Sequence, residues 1–265
     1  MSQIDYLRNL QLESDNMELT KILQNCSENL KLNEKDIPMK FNDFCDDTNN
    51  SARNLKLNQL TPRWIPISNY KLWNIIQQGE TQGYLKKGMK VLDLGGGTGS
   101  SAFIFSYNKY NVISIELNHD LATFARTKEL EFKSKFKDKL LGKINFLEGS
   151  YYSEEYISQR EKNPEQNLLI TMLEDKYSAV RDEVFFPVCV EDVYKKNKIN
   201  FGEFDVIYAY LWDVQTPSVI DMCTKYAKED AVFIFISHLN LSTIRRMYNK
   251  IFSSDKQCIR KNELI

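Results

Sequence analysis

The chain has 265 residues, of which 42% are hydrophobic, and its 35 basic and 36 acidic residues leave a formal net charge of −1. This length suffices for one domain with a large core, and the charge balance disfavours general nucleic-acid binding, which needs an excess of positive charge. No segment approaches the about 20 apolar residues of a membrane span, and the charged N-terminus lacks the apolar region of a secretion signal, so we expect a cytoplasmic protein.

The first predicted element is an N-terminal extension. Residues 1–30 carry apolar side chains at roughly helical spacing, which predicts a helix. Residues 33–60 are polar and include the run Asp46-Asp47-Thr48-Asn49-Asn50, and we predict a linker or long loop there. Residues 1–60 are therefore assigned to a helical extension and linker. The extension could serve as a lid, a dimer contact or a partner-binding arm, and the sequence leaves these roles and the oligomeric state open.

Residues 61–240 form the predicted core, in which strands and helices alternate. A helical pattern precedes Gly88, and hydrophobic runs that predict strands follow it. The five predicted strands are Val91–Leu94, Asn111–Ile115, Lys143–Leu147, Phe204–Ala209 and Ala231–Ile236, with helices at 101–107, 121–141 and 217–227. Strands rich in Val, Ile and Phe that alternate with helices predict a doubly wound α/β fold, with a mostly parallel sheet and helices on both faces.

Two further segments are set apart from this alternation. Residues 151–202 form a large insert between the third and fourth strands, longer than a crossover requires; it is interpreted as a helical lid over an acceptor pocket or as a structural elaboration. Residues 241–265 are predicted to be a C-terminal helix and tail. The lysines of the 121–141 helix alternate with acidic residues, which favours a solvated amphipathic helix over an RNA-binding one. Its predicted apolar side consists of Leu130, Phe132, Phe136 and Leu140.

The cysteines and histidines predict no metal site. The five cysteines are scattered without a C-x-x-C pair, and the chain has only two histidines. Neither a zinc site nor a disulfide framework matches such spacing, so reduced thiols are expected.

The most informative motif is a glycine loop directly after the first predicted strand, with the sequence Asp93-Leu94-Gly95-Gly96-Gly97-Thr98-Gly99-Ser100. A loop without side chains lets a ligand approach the backbone, and the helix that follows aims its first N–H groups at that ligand. In an open α/β sheet, ligands bind at this edge, where the strands have their carboxyl ends. No Gly-Lys-Ser/Thr follows, which excludes a P-loop, and Ser100 replaces the third glycine of the dinucleotide fingerprint.

The loop spells D-x-G-x-G-x-G and resembles motif I of the class I, Rossmann-like S-adenosylmethionine-dependent methyltransferases. The resemblance covers residues 64–237. It implies that the amino-acid end of S-adenosylmethionine is held by the loop residues Asp93, Leu94, Gly95, Gly97 and Gly99.

A carboxylate after the second strand completes this resemblance. Glu116 stands close to the spacing, about 20 residues after the glycines, of a carboxylate that binds a ribose. Leu117 beside it is expected in the same cofactor site. After the third strand, Gly149 and Ser150 would lie beside the adenine. Many members of the family carry an acidic residue where Ser150 stands, so either Glu148 or Ser150 is expected in that role.

The exit of the fourth strand matches the family's motif IV, where the methyl acceptor meets the cofactor. Tyr210, Trp212 and Asp213 would line the acceptor side, with Asp213 the candidate to orient or deprotonate an amine or hydroxyl. In the alternative interpretation, Tyr210 packs in the sheet and Asp213 caps the next helix. Residues 64–68 and 116–118 add a weaker resemblance to the lysine methyltransferases that act on the ATP-synthase c subunit.

The sequence therefore predicts methyl transfer from S-adenosylmethionine by in-line displacement. The expected acceptor is a small molecule or a protein side chain, and its identity stays open because the fold does not select it. Two alternatives remain: a catalytically silent binding module of the same fold, and an NAD(P)-dependent oxidoreductase, against which Ser100 counts.

Overall fold

A computed structural model describes residues 37–55, 66–177, 191–211 and 214–236 of the chain. Several predictions from the sequence concern residues outside these ranges. They are the N-terminal helix of residues 1–30, the acceptor-side residues Trp212 and Asp213, and the C-terminal helix and tail of residues 241–265. In the described part of the chain, no helix is both long enough and apolar enough to cross a bilayer.

The described residues form one parallel sheet of five strands in the order β3-β2-β1-β4-β5. The strands are β1 (Lys90–Leu94), β2 (Asn111–Glu116), β3 (Ile144–Glu148), β4 (Val206–Tyr210) and β5 (Val232–Ile236). Every neighbouring pair is parallel. The order changes direction between β1 and β4, which creates a crevice at their carboxyl ends. The predicted doubly wound α/β fold is confirmed.

Helices cover both faces of the sheet. They are α1 (Met39–Asn54), α2 (Asn69–Thr81), α3 (Ser100–Tyr107), α4 (His119–Lys135), α5 (Glu154–Lys162), α6 (Pro164–Tyr177), α7 (Val193–Asn197) and α8 (Thr216–Tyr226). Side chains alternate along each strand, so Val91 and Tyr208 enter the core under α1–α4, whereas Leu92 and Ile207 enter the core under α5–α8.

The linker predicted for residues 33–60 is wrong over Met39–Asn54, which form α1. Its buried residues recur at helical spacing and are Phe41, Phe44, Cys45, Thr48, Asn49 and Ala52. The acidic run was interpreted as a loop because of its polarity, yet Asp46 and Asp47 lie on the exposed side while Thr48 and Asn49 face inward. Helix α1 is thus part of the core; the other domain boundaries stay predictions.

The charged helix after β2 is shorter than predicted, because α4 ends at Lys135. Its lysines pair with acidic neighbours, as in the contacts of Lys128 with Glu131 and of Lys133 with Glu129. Phe132 and Phe136 are buried as expected. Leu130 and Leu140 are wrongly placed on the apolar side, since both are exposed.

The described part of the insert packs as a layer against the sheet. Tyr156, Ile170 and Leu173 belong to the core on that face, and the Tyr156 hydroxyl donates a hydrogen bond to the carbonyl of Ser218 at the start of α8. This packing agrees with a structural elaboration. A lid over an acceptor pocket stays a prediction.

Candidate functional site

The glycine loop after β1 presents bare backbone at the carboxyl edge of the sheet. Gly95, Gly97 and Gly99 have φ angles of 81°, 56° and 84°, a region that L side chains rarely adopt. Gly96 is required for a different reason, because a Cβ atom there would lie 1.8 Å from Ser114 Oγ. The loop that the sequence predicted is therefore fixed by backbone conformation and by close contact with the rest of the chain.

Asp93 supports this loop from below. Its side chain is fully buried, and its Oδ2 accepts hydrogen bonds of 2.8 Å from the hydroxyls of Ser101 and Ser114. Among the described residues, no partner reaches its Oδ1. Burial raises the pKa of Asp93 from 3.8 to about 6, although the two serine hydroxyls oppose this shift. The sequence placed Asp93 in the cofactor site, and the structure locates its carboxyl beneath the loop backbone.

Glu116 at the end of β2 lies directly against the loop. Its Oε2 accepts a hydrogen bond from the Gly97 N–H at 2.8 Å, and its Oε1 accepts one from the Asn118 N–H at 2.8 Å. Burial raises the pKa of Glu116, while the backbone hydrogen bonds oppose the rise. The structure thus brings together the loop and the carboxylate that the sequence had paired. Leu117, the next residue, is exposed at the same edge.

Glu148 ends β3 in register with Glu116. His119 Nδ1 lies 3.0 Å from both of its carboxylate oxygens, and Arg126 Nη1 lies 3.7 Å from one of them. The hydrogen bond with His119 and the nearby positive charges lower the pKa of Glu148. His119 and Arg126 were not among the predicted site residues, and they meet Glu148 only because α4 lies beside β3.

Ser150, which the sequence offered as the alternative to Glu148, is buried and engaged by the chain itself. Its Oγ accepts a hydrogen bond from the Tyr152 N–H at 3.1 Å, and its backbone forms a parallel bridge with Asp192. Gly149 has a φ of 150° and donates its N–H to the carbonyl of Glu116. Of the two candidates, Glu148 is the one that faces solvent.

An aromatic side chain from the insert borders the loop. The ring of Tyr151 passes 3.9 Å from the position that a Cβ atom on Gly95 would take. The hydroxyl of Tyr194 donates a hydrogen bond of 2.8 Å to the Tyr151 carbonyl, which ties this edge to α7. The sequence singled out Tyr151 as part of an aromatic cluster in the insert, but its contact with the loop could not be seen from spacing.

Of the predicted acceptor-side residues, only Tyr210 is described. Tyr210 ends β4 half-buried, and burial raises the pKa of its hydroxyl. The Leu211 N–H donates to the carbonyl of Ile236, so the exits of β4 and β5 stay adjacent. The other two acceptor-side residues of the prediction, Trp212 and Asp213, lie outside the described residues.

No protein-family model and no curated protein sequence matches the chain. Many solved structures are similar to it, among them the following three. A SAM-dependent methyltransferase from Agrobacterium tumefaciens is 10% identical over 69% of this chain, with a TM-score of 0.38, and the chain spans 48% of that protein. A TehB-like SAM-dependent methyltransferase from Corynebacterium glutamicum is 12% identical over 78% of this chain and 83% of its own, with a TM-score of 0.37. An O-methyltransferase from Bacillus cereus, in complex with SAH, is 14% identical over 88% of this chain and 86% of its own, with a TM-score of 0.41. At these identities, the similarity concerns the backbone fold alone.

Proposed function

We propose that the chain is an S-adenosylmethionine-dependent methyltransferase. The observation that carries this proposal is the contact between Glu116 and the glycine loop. A carboxylate with two oxygens stands beside bare backbone at the crevice of a doubly wound sheet. Such an arrangement suits a nucleoside whose ribose hydroxyls donate to the carboxylate while the rest of the ligand lies over the loop.

The residues present fit this cofactor. The loop glycines present backbone without side chains at the carboxyl edge of the sheet, and their φ angles of 81°, 56° and 84° at Gly95, Gly97 and Gly99 are ones that L side chains rarely adopt. Glu116, whose carboxylate lies against the loop, places negative charge beside it, and this favours a ligand that carries positive charge. S-adenosylmethionine carries such positive charge on its ammonium and sulfonium groups.

The bound cofactor would supply a methyl group on an excellent leaving group, so the protein has to provide mainly alignment. Glu116 and the loop would hold the nucleoside, and Tyr210 and Trp212 would orient the acceptor. Asp213 would accept the proton of an amine or hydroxyl acceptor that is protonated at working pH. The acceptor proposed is a small molecule or a protein side chain.

Calorimetric titration with S-adenosylmethionine, S-adenosylhomocysteine and NAD tests the proposal. We expect the first two to bind and NAD not to bind. Binding of NAD alone would identify an oxidoreductase and overturn the proposal. Incubation with methyl-labelled S-adenosylmethionine and fractionated cell extract then tests catalysis. Binding of the cofactor without transfer of label to any fraction would identify a silent binding module.

A further inference from the structure

Helix α1 reaches the glycine loop through one buried side chain, Asn49. Its Oδ1 lies 2.9 Å from Ser100 Oγ and 3.2 Å from Thr98 Oγ1, and the two hydroxyls lie 3.1 Å from each other. All three side chains are buried. Each hydroxyl has one proton to donate. The side-chain carbonyl of Asn49 can accept hydrogen bonds from both hydroxyls at once, so in this arrangement both protons are used.

These bonds direct both loop hydroxyls toward α1. Thr98 and Ser100 flank Gly99, which precedes the first turn of α3, and hydroxyl groups at such positions commonly bond the free N–H groups of a helix start. In the described part of the chain, no side chain caps α3 in this way. With the hydroxyls turned toward Asn49, the first N–H groups of α3 stay available to a ligand in the crevice.

Helix α1, which carries Asn49, is anchored to α2 and α3. On α1, Asp46 Oδ1 accepts a hydrogen bond of 2.9 Å from Asn69 Nδ2 at the start of α2. Phe44, five residues before Asn49 on the same helix, packs edge-on against Phe103 of α3 with ring centroids 5.4 Å apart. A side chain that must fix a loop needs such a support, because a mobile one would transmit no constraint.

We propose that Asn49 is a positioning residue for the cofactor. It acts through Thr98 and Ser100, which it keeps in the orientation that leaves the loop backbone and the start of α3 open. The proposal rests on the proposed function. It makes α1 part of the cofactor site and not a peripheral extension of the core. The class of ligand concerned is the same S-adenosyl nucleoside.

Calorimetry with S-adenosylhomocysteine on Asn49→Ala, Ser100→Ala and the double variant tests this inference. Each single change is expected to weaken binding roughly 5- to 30-fold, the effect of losing one or two buried hydrogen bonds. The affinity of the double variant is expected to be no lower than that of the single variant with the lower affinity, because both changes break the same contact. If Asn49→Ala fails to fold, Thr98→Val tests the inference in its place, because it removes only the Thr98 hydroxyl that bonds Asn49.

The matched control is Thr48→Val. Thr48 is buried beside Asn49, but its hydroxyl donates to the Phe44 carbonyl within α1, so this change is expected to lower thermal stability without altering affinity. If Asn49→Ala and Ser100→Ala lowered stability while affinity stayed at the native value, Asn49 would be only structural and the inference would be overturned.

If the native chain bound neither S-adenosylmethionine nor S-adenosylhomocysteine, the proposed function would fail. Amide hydrogen exchange would then show whether Asn49→Ala still loosens residues 95–101, and unchanged exchange there would overturn the inference separately.

Discussion

The backbone N–H of Gly97 donates a hydrogen bond to Glu116 Oε2 across 2.8 Å. This contact joins the turn after β1 to the end of β2, the neighbouring strand in the sheet. A ligand over the loop would therefore also meet the carboxylate, and one pair of strands positions both parts of the proposed site.

Glu116→Gln is expected to weaken binding of S-adenosylhomocysteine roughly 10- to 100-fold, since it removes a charged acceptor of hydrogen bonds. The amide would also set its NH₂ group against one of the two backbone N–H groups, of Gly97 and Asn118, that now donate to the carboxylate. Calorimetry measures the effect. The matched control is Glu203→Gln, which alters a carboxylate paired with Lys90 at the opposite edge of the sheet and should leave affinity unchanged. Equal affinities of native chain and Glu116→Gln would remove Glu116 from the site.

Gly96→Ala is expected to destabilise the fold by about 1–3 kcal/mol and to abolish measurable cofactor binding, because the new methyl group overlaps Ser114 Oγ and pushes the loop outward. Gly83→Ala serves as its control. Gly83 has a φ of +82° with no atom near the added methyl, so that change should cost about 1–2 kcal/mol through backbone strain and leave binding intact. Denaturant unfolding and calorimetry are the measurements. Full binding by Gly96→Ala would show that the loop tolerates displacement.

Asp93 predicts a specific dependence of stability on pH. Its folded-state pKa of about 6 exceeds its ordinary value of 3.8, so the folded protein holds the proton more tightly than the unfolded chain. This contribution to stability is complete below about pH 4 and is lost as the pH rises through about 6. Relative to the native chain, Asp93→Asn should therefore gain on the order of 3 kcal/mol between pH 4 and pH 7.

Urea unfolding of both proteins across this pH range measures the difference, and Asp205→Asn provides a control of opposite sign. Burial alone would raise the pKa of Asp205, but hydrogen bonds from Lys228 and the Lys90 backbone lower it overall. Its contribution is present at neutral pH and is lost as the pH falls. A constant difference between native chain and Asp93→Asn would mean that Asp93 does not titrate in this range.

Phe44→Ala is expected to lower the free energy of unfolding by about 3–5 kcal/mol, because it opens a cavity in an aromatic cluster. The ring is completely buried and lies 5.5 Å from Phe132, centroid to centroid. Met39→Ala on the same helix alters a side chain that is 79% exposed and should change stability by no more than about 0.5 kcal/mol. Similar small effects of both changes in denaturant unfolding would restore the linker interpretation.

Asp213→Asn is expected to reduce turnover roughly 10²- to 10⁴-fold when the acceptor carries a proton, without weakening S-adenosylhomocysteine binding. Transfer of labelled methyl to the acceptor fraction is the measurement. Asp230→Asn, at an exposed carboxylate near Lys228, controls for the loss of one negative charge. Native turnover by Asp213→Asn would exclude this residue from proton transfer.

The central part of the site could be predicted from the sequence because it depends on local features. A glycine run after a hydrophobic strand, and Glu116 after the next strand, are separate short signals, and parallel pairing places both at one edge. No knowledge of distant contacts was needed for this step.

Contacts between distant segments could not be predicted from the sequence. Thr48 and Asn49 were assigned to a loop because they are polar, yet both side chains face inward. The partners of Asn49 lie on a segment far along the chain, so its contacts could not be predicted. The same holds for Glu148, whose partner His119 begins the preceding helix. Ser150 was predicted as a candidate for ligand binding. Its bridge to Asp192 could not be predicted, because it depends on how the insert returns to the sheet.

The stacking of Phe41 on Tyr107, with ring centroids 4.1 Å apart, also limits how the gene can be shortened. Residue 61, where the sequence places the start of the core, is an unsuitable first codon for a recombinant fragment. Such a fragment would leave the rings of Tyr107, Phe132 and Phe136 facing water, and it would aggregate during expression instead of yielding a minimal enzyme.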